Sequence, residues 1–236
     1  MNTKLLVRFL GDRRAHAENL YVTFIMLAAT IIYEVVSLHV APGYAFNPFE
    51  FVGTFSGLVC VWLCRTRNIL CWPWGVLSAA ALGYFFSQIA LPGQEWLNLA
   101  FFLPIQVVSW PYWVLGGEGR KEPPVTALSW SGRVVMLAAI AAGTAAVYAF
   151  IGFISPGSFH PWLDSTVTAS SVAAQILMGF KKVENWWLWF GPVNALSIAL
   201  FFMAGAYTLT ALYVAFFIHA VFAIVEWRKA QLLKIA

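Results

Sequence analysis

Lys181-Lys182-Val183-Glu184-Asn185-Trp186-Trp187-Leu188-Trp189 closes one apolar run and opens the next. Its two lysines mark a side of a membrane, because basic connections are retained on the cytoplasmic face. Its asparagine and tryptophan have counterparts upstream, in Asn68-Ile69-Leu70-Cys71-Trp72. Sliding the chain against itself by 117 residues (185 less 68, 189 less 72, 227 less 110) places Asn68 on Asn185, Trp72 on Trp189 and Trp110 on Trp227 without a gap. Basic residues precede both asparagines, so charge placement repeats together with the aromatic pattern.

The rest of the chain fits a membrane frame around that repeat. Of 236 residues, 61% are hydrophobic and 10% charged, and several apolar runs approach the roughly 20 residues that carry a helix across ~30 Å of hydrocarbon. Eight spans are expected: 20–38, 48–64, 68–87, 96–115, 131–153, 163–180, 185–203 and 206–227. The fold class is thus an all-α polytopic membrane protein with one integral domain, since the connections are too short to fold alone. An extra first span (20–38) precedes repeat 1 (48–114), a connector helix (131–153) and repeat 2 (163–228). Three spans plus a connector make an even number of crossings, so the repeats are expected to be parallel, related by an axis along the membrane normal. All 14 lysines and arginines fall on one side in this scheme, which makes both termini cytoplasmic. The start Met1-Asn2-Thr3-Lys4 lacks the pattern of a cleaved signal, so the first apolar segment is read as a retained span. Orientation also accounts for the net charge of +4 without a nucleic-acid partner.

Chemistry must then lie among the helices. Buried amides without partners are costly, so intramembrane Asn and Gln face either a neighbouring helix or a wet cavity. Asn98, Gln106, Gln175 and Asn194 are of this kind. Asn98, Phe102, Gln106 and Trp110 step by four along one helical face, and Thr168, Ser171 and Gln175 form a second polar stripe. The Trp clusters near residues 72 and 186 lie at span starts, where tryptophan commonly anchors at the interface. Neighbouring Gly and Pro also let such a start distort and turn flat rings inward, where they would stack on a planar substrate and attract a cationic one.

Enzyme chemistry finds little support. Within the spans there is no Ser/His/Asp set, paired carboxylate, metal-ligand spacing or Gly-rich phosphate loop. Cys60, Cys64 and Cys71 are read as buried small hydrophobes, and no cofactor or metal is expected. His219 is deeply placed but lacks a carboxylate at its depth, so a neutral hydrogen-bonded ring is favoured over a proton relay. Glu34, Glu50, Asp164 and Glu226 are expected at water-exposed span ends. The connector's small residues, Leu137 to Ala146, suit close packing, as do Gly53 and Gly57.

The run Lys-Lys-x-Glu-Asn-Trp-x-x-Trp at 181–189, with Asn-x-x-x-Trp-Pro-x-Gly at 68–75 and Gln-x-x-x-Trp-x-x-Trp at 106–113, resembles the PnuC-type vitamin transporters of bacteria. The resemblance covers about Pro48 to Lys229. It implies a three-one-three parallel-repeat fold like that of the SWEET sugar transporters, homotrimers in the inner membrane, and passage of nicotinamide riboside by facilitated diffusion. It further implies trapping of the substrate by a cytoplasmic nucleoside kinase that phosphorylates it. Carried onto this chain, it points to Trp186, Trp189, Asn194 and Gln106 as substrate-binding residues; repeat symmetry adds Trp72, and the helical face adds Asn98. Relatives that carry thiamine or riboflavin share the fold, and a proton-coupled transporter using His219 is the alternative in energetics.

Overall fold

The computed structural model describes residues 3–40, 45–88, 95–154, 157, 160–203 and 207–233. The chain divides into two compact units, Met1–Pro123 and Pro124–Ala236. Helices dominate both, and among the described residues the only extended pairings are isolated bridges, Gly117 with Lys121 and Thr126 with Lys182.

The first unit begins with a short helix, α1 (Thr3–Leu10), which the sequence reading did not anticipate. Gly11 turns the chain at φ +85°, where a Cβ would lie 2.7 Å from that of Ala15, and the Asp12 carboxylate accepts from the Ala15 amide at 3.0 Å. That cap starts α2 (Arg13–Val40) seven residues before the expected span, so its first two turns are charged. α2 buries Val22, Thr30, Glu34 and Ser37 along one stripe, which packs on α3 (Pro48–Arg65). Glu34 is only 6% exposed, in contrast to the expected water-facing position, because it belongs to the stripe that α2 turns inward.

α3 opens with Asn47, whose side chain accepts from the amides of Phe49 and Glu50, followed by Pro48 in the first turn. It packs closely along α4 (Cys71–Gln88). Gly53 and Gly57 permit this approach: a Cβ at Gly53 would meet Leu82 at 2.6 Å, one at Gly57 would meet Ser78 Oγ at 2.9 Å, and that hydroxyl donates to the Gly53 carbonyl at 2.8 Å. Cys60, Cys64 and Cys71 are buried in the α3/α4 core. α5 (Leu97–Leu115) packs on α4; it starts with a π-helical stretch, Leu97–Phe102, and continues as α-helix from Leu103.

The second unit contains α6 (Trp130–Ile154), α7 (Pro161–Gly179), α8 and α9 (Tyr207–Leu232). α8 is composite, with an α-helical turn Glu184–Leu188, a π stretch Trp189–Ala195 and an α-helical end Leu196–Met203. α6, the expected connector, lies along α7 with Gly143 against Ala169, while most of its surface stays exposed. α7 packs on α8, and α8 on α9. Lys4–Val40, Leu97–Leu115 and Trp130–Phe153 are each long and apolar enough to cross a membrane.

Candidate functional site

Local geometry in the two units corresponds at an offset of 114 residues instead of 117. α3 ends with Arg67 at φ 61°, its amide donating to Cys64 O at 3.2 Å and the next amide, of Asn68, reaching Leu63 O at 2.9 Å. α7 ends with Lys181 at φ 52°, its amide donating to Met178 O at 3.0 Å and that of Lys182 reaching Leu177 O at 2.9 Å. Both are left-handed caps with the same pair of bonds closing the last turn. The following helices open alike, Trp72 N on Ile69 O and Trp186 N on Val183 O. Trp72 meets Trp113 edge-on with centroids 4.8 Å apart, and Trp186 meets Trp227 edge-on at 6.0 Å. These tryptophans lie 114 residues apart (186 less 72, 227 less 113).

The pairs matched at 117 have unlike surroundings. Asn68 Nδ2 donates to Ala15 O and Glu18 Oε2, both at 2.9 Å, whereas Asn185 Nδ2 donates to Lys182 O. Trp110 Nε1 donates to Phe9 O at 3.1 Å, whereas Trp227 packs on Trp186. In local contacts Trp72 is thus matched by Trp186, whereas the letter match at 117 sets it against Trp189.

In the first unit α4 and α5 position three of the expected residues. Trp72 is fully buried by Trp113, and its indole N–H has no acceptor. Gln106, 8% exposed, lies directly over Gly75, where an added Cβ would come within 2.6 Å of the amide, and its Oε1 has no donor. Asn98 is buried within the π stretch of α5. Trp74, by contrast, is tied down through its indole N–H to Asn19 Oδ1 at 2.6 Å.

The second unit holds the other three. Trp186 is buried between Trp227 and His219, with 6.0 Å between centroids in each case, and its N–H lacks an acceptor. Trp189 Nε1 is buried and unpartnered too, and Asn194 is 3% exposed within the π stretch that contains Pro192. Trp187, between the inward rings, is exposed and lies under Arg228 at 5.3 Å, the place of an interfacial anchor. Trp162, one residue outside the expected span 163–180 and so read from sequence as part of a connection, lies in the first turn of α7 against Tyr148.

Buried polar atoms in folded proteins nearly always have partners, and each orphan costs about 1–3 kcal/mol. Four of the six expected residues, Trp72, Gln106, Trp186 and Trp189, carry such an orphan. Trp72 and Gln106 give the first unit one unpaired donor and one unpaired acceptor, and Trp186 and Trp189 give the second unit two unpaired donors, all on planar groups of the kind that hydrogen-bond an aromatic ligand's polar edge. Sequence reasoning named Gly75, Trp113, Trp227 and His219 but did not foresee that Gly75 makes room for Gln106 or that the three rings pack on Trp72 and Trp186, because those partners come from other helices. Gly75→Ala is expected to push the flexible end of Gln106 aside and weaken ligand affinity by about 1 kcal/mol with little change in melting temperature, measured by calorimetry and thermal unfolding of one preparation.

A largely helical chain with three helices, among the described residues, long and apolar enough to cross a membrane, and with polar and aromatic groups buried among its helices, is in class a helical membrane protein. The match to the nicotinamide mononucleotide transporter family model over residues 47–229 places this chain in that family. Similar relatives include the nicotinamide riboside transporters PnuC of Escherichia coli K12, 28% identical over 74% of this chain and 82% of the relative, and of Neisseria mucosa, 28% identical over 79% and 75%. The riboflavin/roseoflavin transporter RibM of Streptomyces davaonensis is 26% identical over 66% of this chain and 73% of its own. The crystal structure of a vitamin B3 transporter PnuC shares the fold, with a TM-score of 0.67 and 24% identity over 93% of this chain and 98% of that one.

Proposed function

We propose that this protein carries nicotinamide riboside across the bacterial inner membrane by facilitated diffusion, with both termini cytoplasmic and phosphorylation by a nucleoside kinase retaining the product. The orphaned polar atoms of Trp72, Gln106, Trp186 and Trp189 support this reading most directly, since substrate groups would satisfy them. Gln106, Asn98 and Asn194 would hydrogen-bond the carboxamide and ribose hydroxyls, and Trp72, Trp186 and Trp189 would stack on or bond the rings. The names of several relatives favour nicotinamide riboside over riboflavin, and thiamine is the further alternative that the family resemblance implies. Eight spans arranged as an extra helix, two parallel three-helix repeats and a connector, assembled as a homotrimer, complete the proposal; the shared caps and tryptophan pairs at offset 114 support the repetition.

In liposomes the purified protein should equilibrate radiolabelled nicotinamide riboside without a proton or sodium gradient, and an imposed gradient should cause no accumulation. Uphill uptake driven by pH and lost in His219→Ala would establish the coupled alternative instead. Orientation is tested separately. In a background with Cys60, Cys64 and Cys71 replaced, cysteine at Ser158, which lies outside the described residues, should react with an impermeant reagent from the periplasmic side. Labelling only after permeabilisation would reverse the topology.

A further inference from the structure

A groove of about 640 Å³ opens on the second unit between the start of α6, the start of α8 and the end of α9. Its lining includes Trp130, Arg133, Val134, Leu137, Trp187 and Arg228. These residues are arranged as amphiphile chemistry requires. Arg133 and Arg228 supply guanidinium groups at the end of the unit that also carries Lys181, Lys182 and Lys229. One of the two is balanced, because Glu184 accepts from Arg133 Nε at 3.0 Å and lies 2.9 Å from its Nη2; Arg228 has an aromatic face beneath it, Trp187, and a surplus positive charge remains. Val134 and Leu137, 52% and 60% exposed and one turn apart, lead from the charged mouth onto the outer face of α6, the apolar surface against which an acyl chain would start. Trp130, 77% exposed, and Trp187 lie at the junction of the two regions, the headgroup level that tryptophan favours.

We propose that this groove binds an anionic glycerophospholipid, its phosphate between Arg228 and Arg133 and one acyl chain along Val134 and Leu137. Charge complementarity selects the occupant: a zwitterionic lipid brings a cation of its own to a mouth that already holds a surplus of positive charge. The proposed orientation puts this end at the cytoplasmic leaflet, where anionic lipids attract basic residues near the surface. None of the six residues assigned to substrate lines the groove, and its test does not depend on transport.

Native mass spectrometry of detergent-purified protein titrated with phosphatidylglycerol, phosphatidylcholine or glycerol 3-phosphate decides the matter. Retention of phosphatidylglycerol over phosphatidylcholine is expected, with glycerol 3-phosphate unable to displace it. Arg228→Gln should weaken retention about fivefold, as loss of one basic contact to an anionic headgroup does. Leu137→Ser should weaken it through the chain while leaving both arginines in place, and Lys229→Gln, outside the groove, should leave it unchanged. Equal retention of phosphatidylcholine, displacement by glycerol 3-phosphate, or undiminished phosphatidylglycerol binding in both groove variants would overturn the proposal. So would a changed subunit count in those variants with lipid retention intact, which would assign the groove to a second copy of the chain.

Discussion

Gln106→Leu and Asn194→Leu are each expected to weaken nicotinamide riboside binding by about 1 to 3 kcal/mol, roughly 5- to 150-fold, because an apolar replacement leaves a substrate polar group buried without its partner. The two side chains are 8% and 3% exposed, so water cannot take over their role. Melting temperature separates this from a packing role. Gln106 Oε1 has no donor within the protein, so its removal breaks no bond on that side and should not lower stability. Trp186→Ala is expected to lose affinity by a similar margin, but it also opens a cavity against Trp227 at about 3 to 5 kcal/mol, so Trp186→Phe is the more telling variant. Trp162→Ala, at an exposed ring on Tyr148, should leave affinity unchanged. Calorimetric titration of folded variants checks all five. Normal affinity in both amide variants would assign the amides to helix packing.

Glu184→Ala should have the second large effect, on stability. The Glu184 carboxylate is 7% exposed; it receives Arg133 and also the backbone N–H of Leu128 at 3.0 Å, which fastens the segment before α6 to the start of α8. Thr126 adds to the clasp through its amide on Lys181 O at 3.1 Å, its carbonyl receiving Val183 N at 2.9 Å, and its hydroxyl receiving Lys182 Nζ at 2.8 Å. Arg133 is nearly half exposed, so screening discounts its share, and a loss of about 1 to 3 kcal/mol is expected, mostly from the orphaned amide. Glu184→Gln, which can still accept from Leu128, should recover much of it in a thermal unfolding series. Equal destabilisation by Ala and Gln would show that charge, and not the backbone bond, holds the clasp.

Helix positions were legible in the sequence because apolar run length and interrupting charge act locally. The expected 48–64, 68–87, 96–115 and 131–153 correspond to α3, α4, α5 and α6 within a few residues. α1 escaped because eight residues with Arg8 in their midst are too short to span; the helix is held from outside, by Arg8 donating to Val114 O at 3.1 Å and by the Trp110 indole. The π stretches escaped too, since a shifted hydrogen-bond ladder leaves hydropathy unaltered, although Pro104 and Pro192 mark where the regular ladder fails. Matching identical letters favoured an offset of 117; the correspondence at 114 rests on an Arg/Lys pair at left-handed caps and on which ring touches which, and neither is visible without coordinates. For the site, the sequence supplied residue types whose burial is expensive. It named Gly75 in a motif and His219 as a deep ring, but not that one seats Gln106 and the other packs on Trp186, since both contacts form only across helices.

The two edge-on indole pairs give the protein a built-in optical signal. Trp72 with Trp113 at 4.8 Å and Trp186 with Trp227 at 6.0 Å are close enough for their excited states to mix, each in a fixed chiral geometry. Near-ultraviolet circular dichroism should therefore be dominated by these four rings even in a chain with 12 tryptophans. Any ligand that rotates one ring by a few degrees would register as a change in band shape, so that occupancy could be followed without a label, in detergent or in bilayers, on the same sample used for uptake.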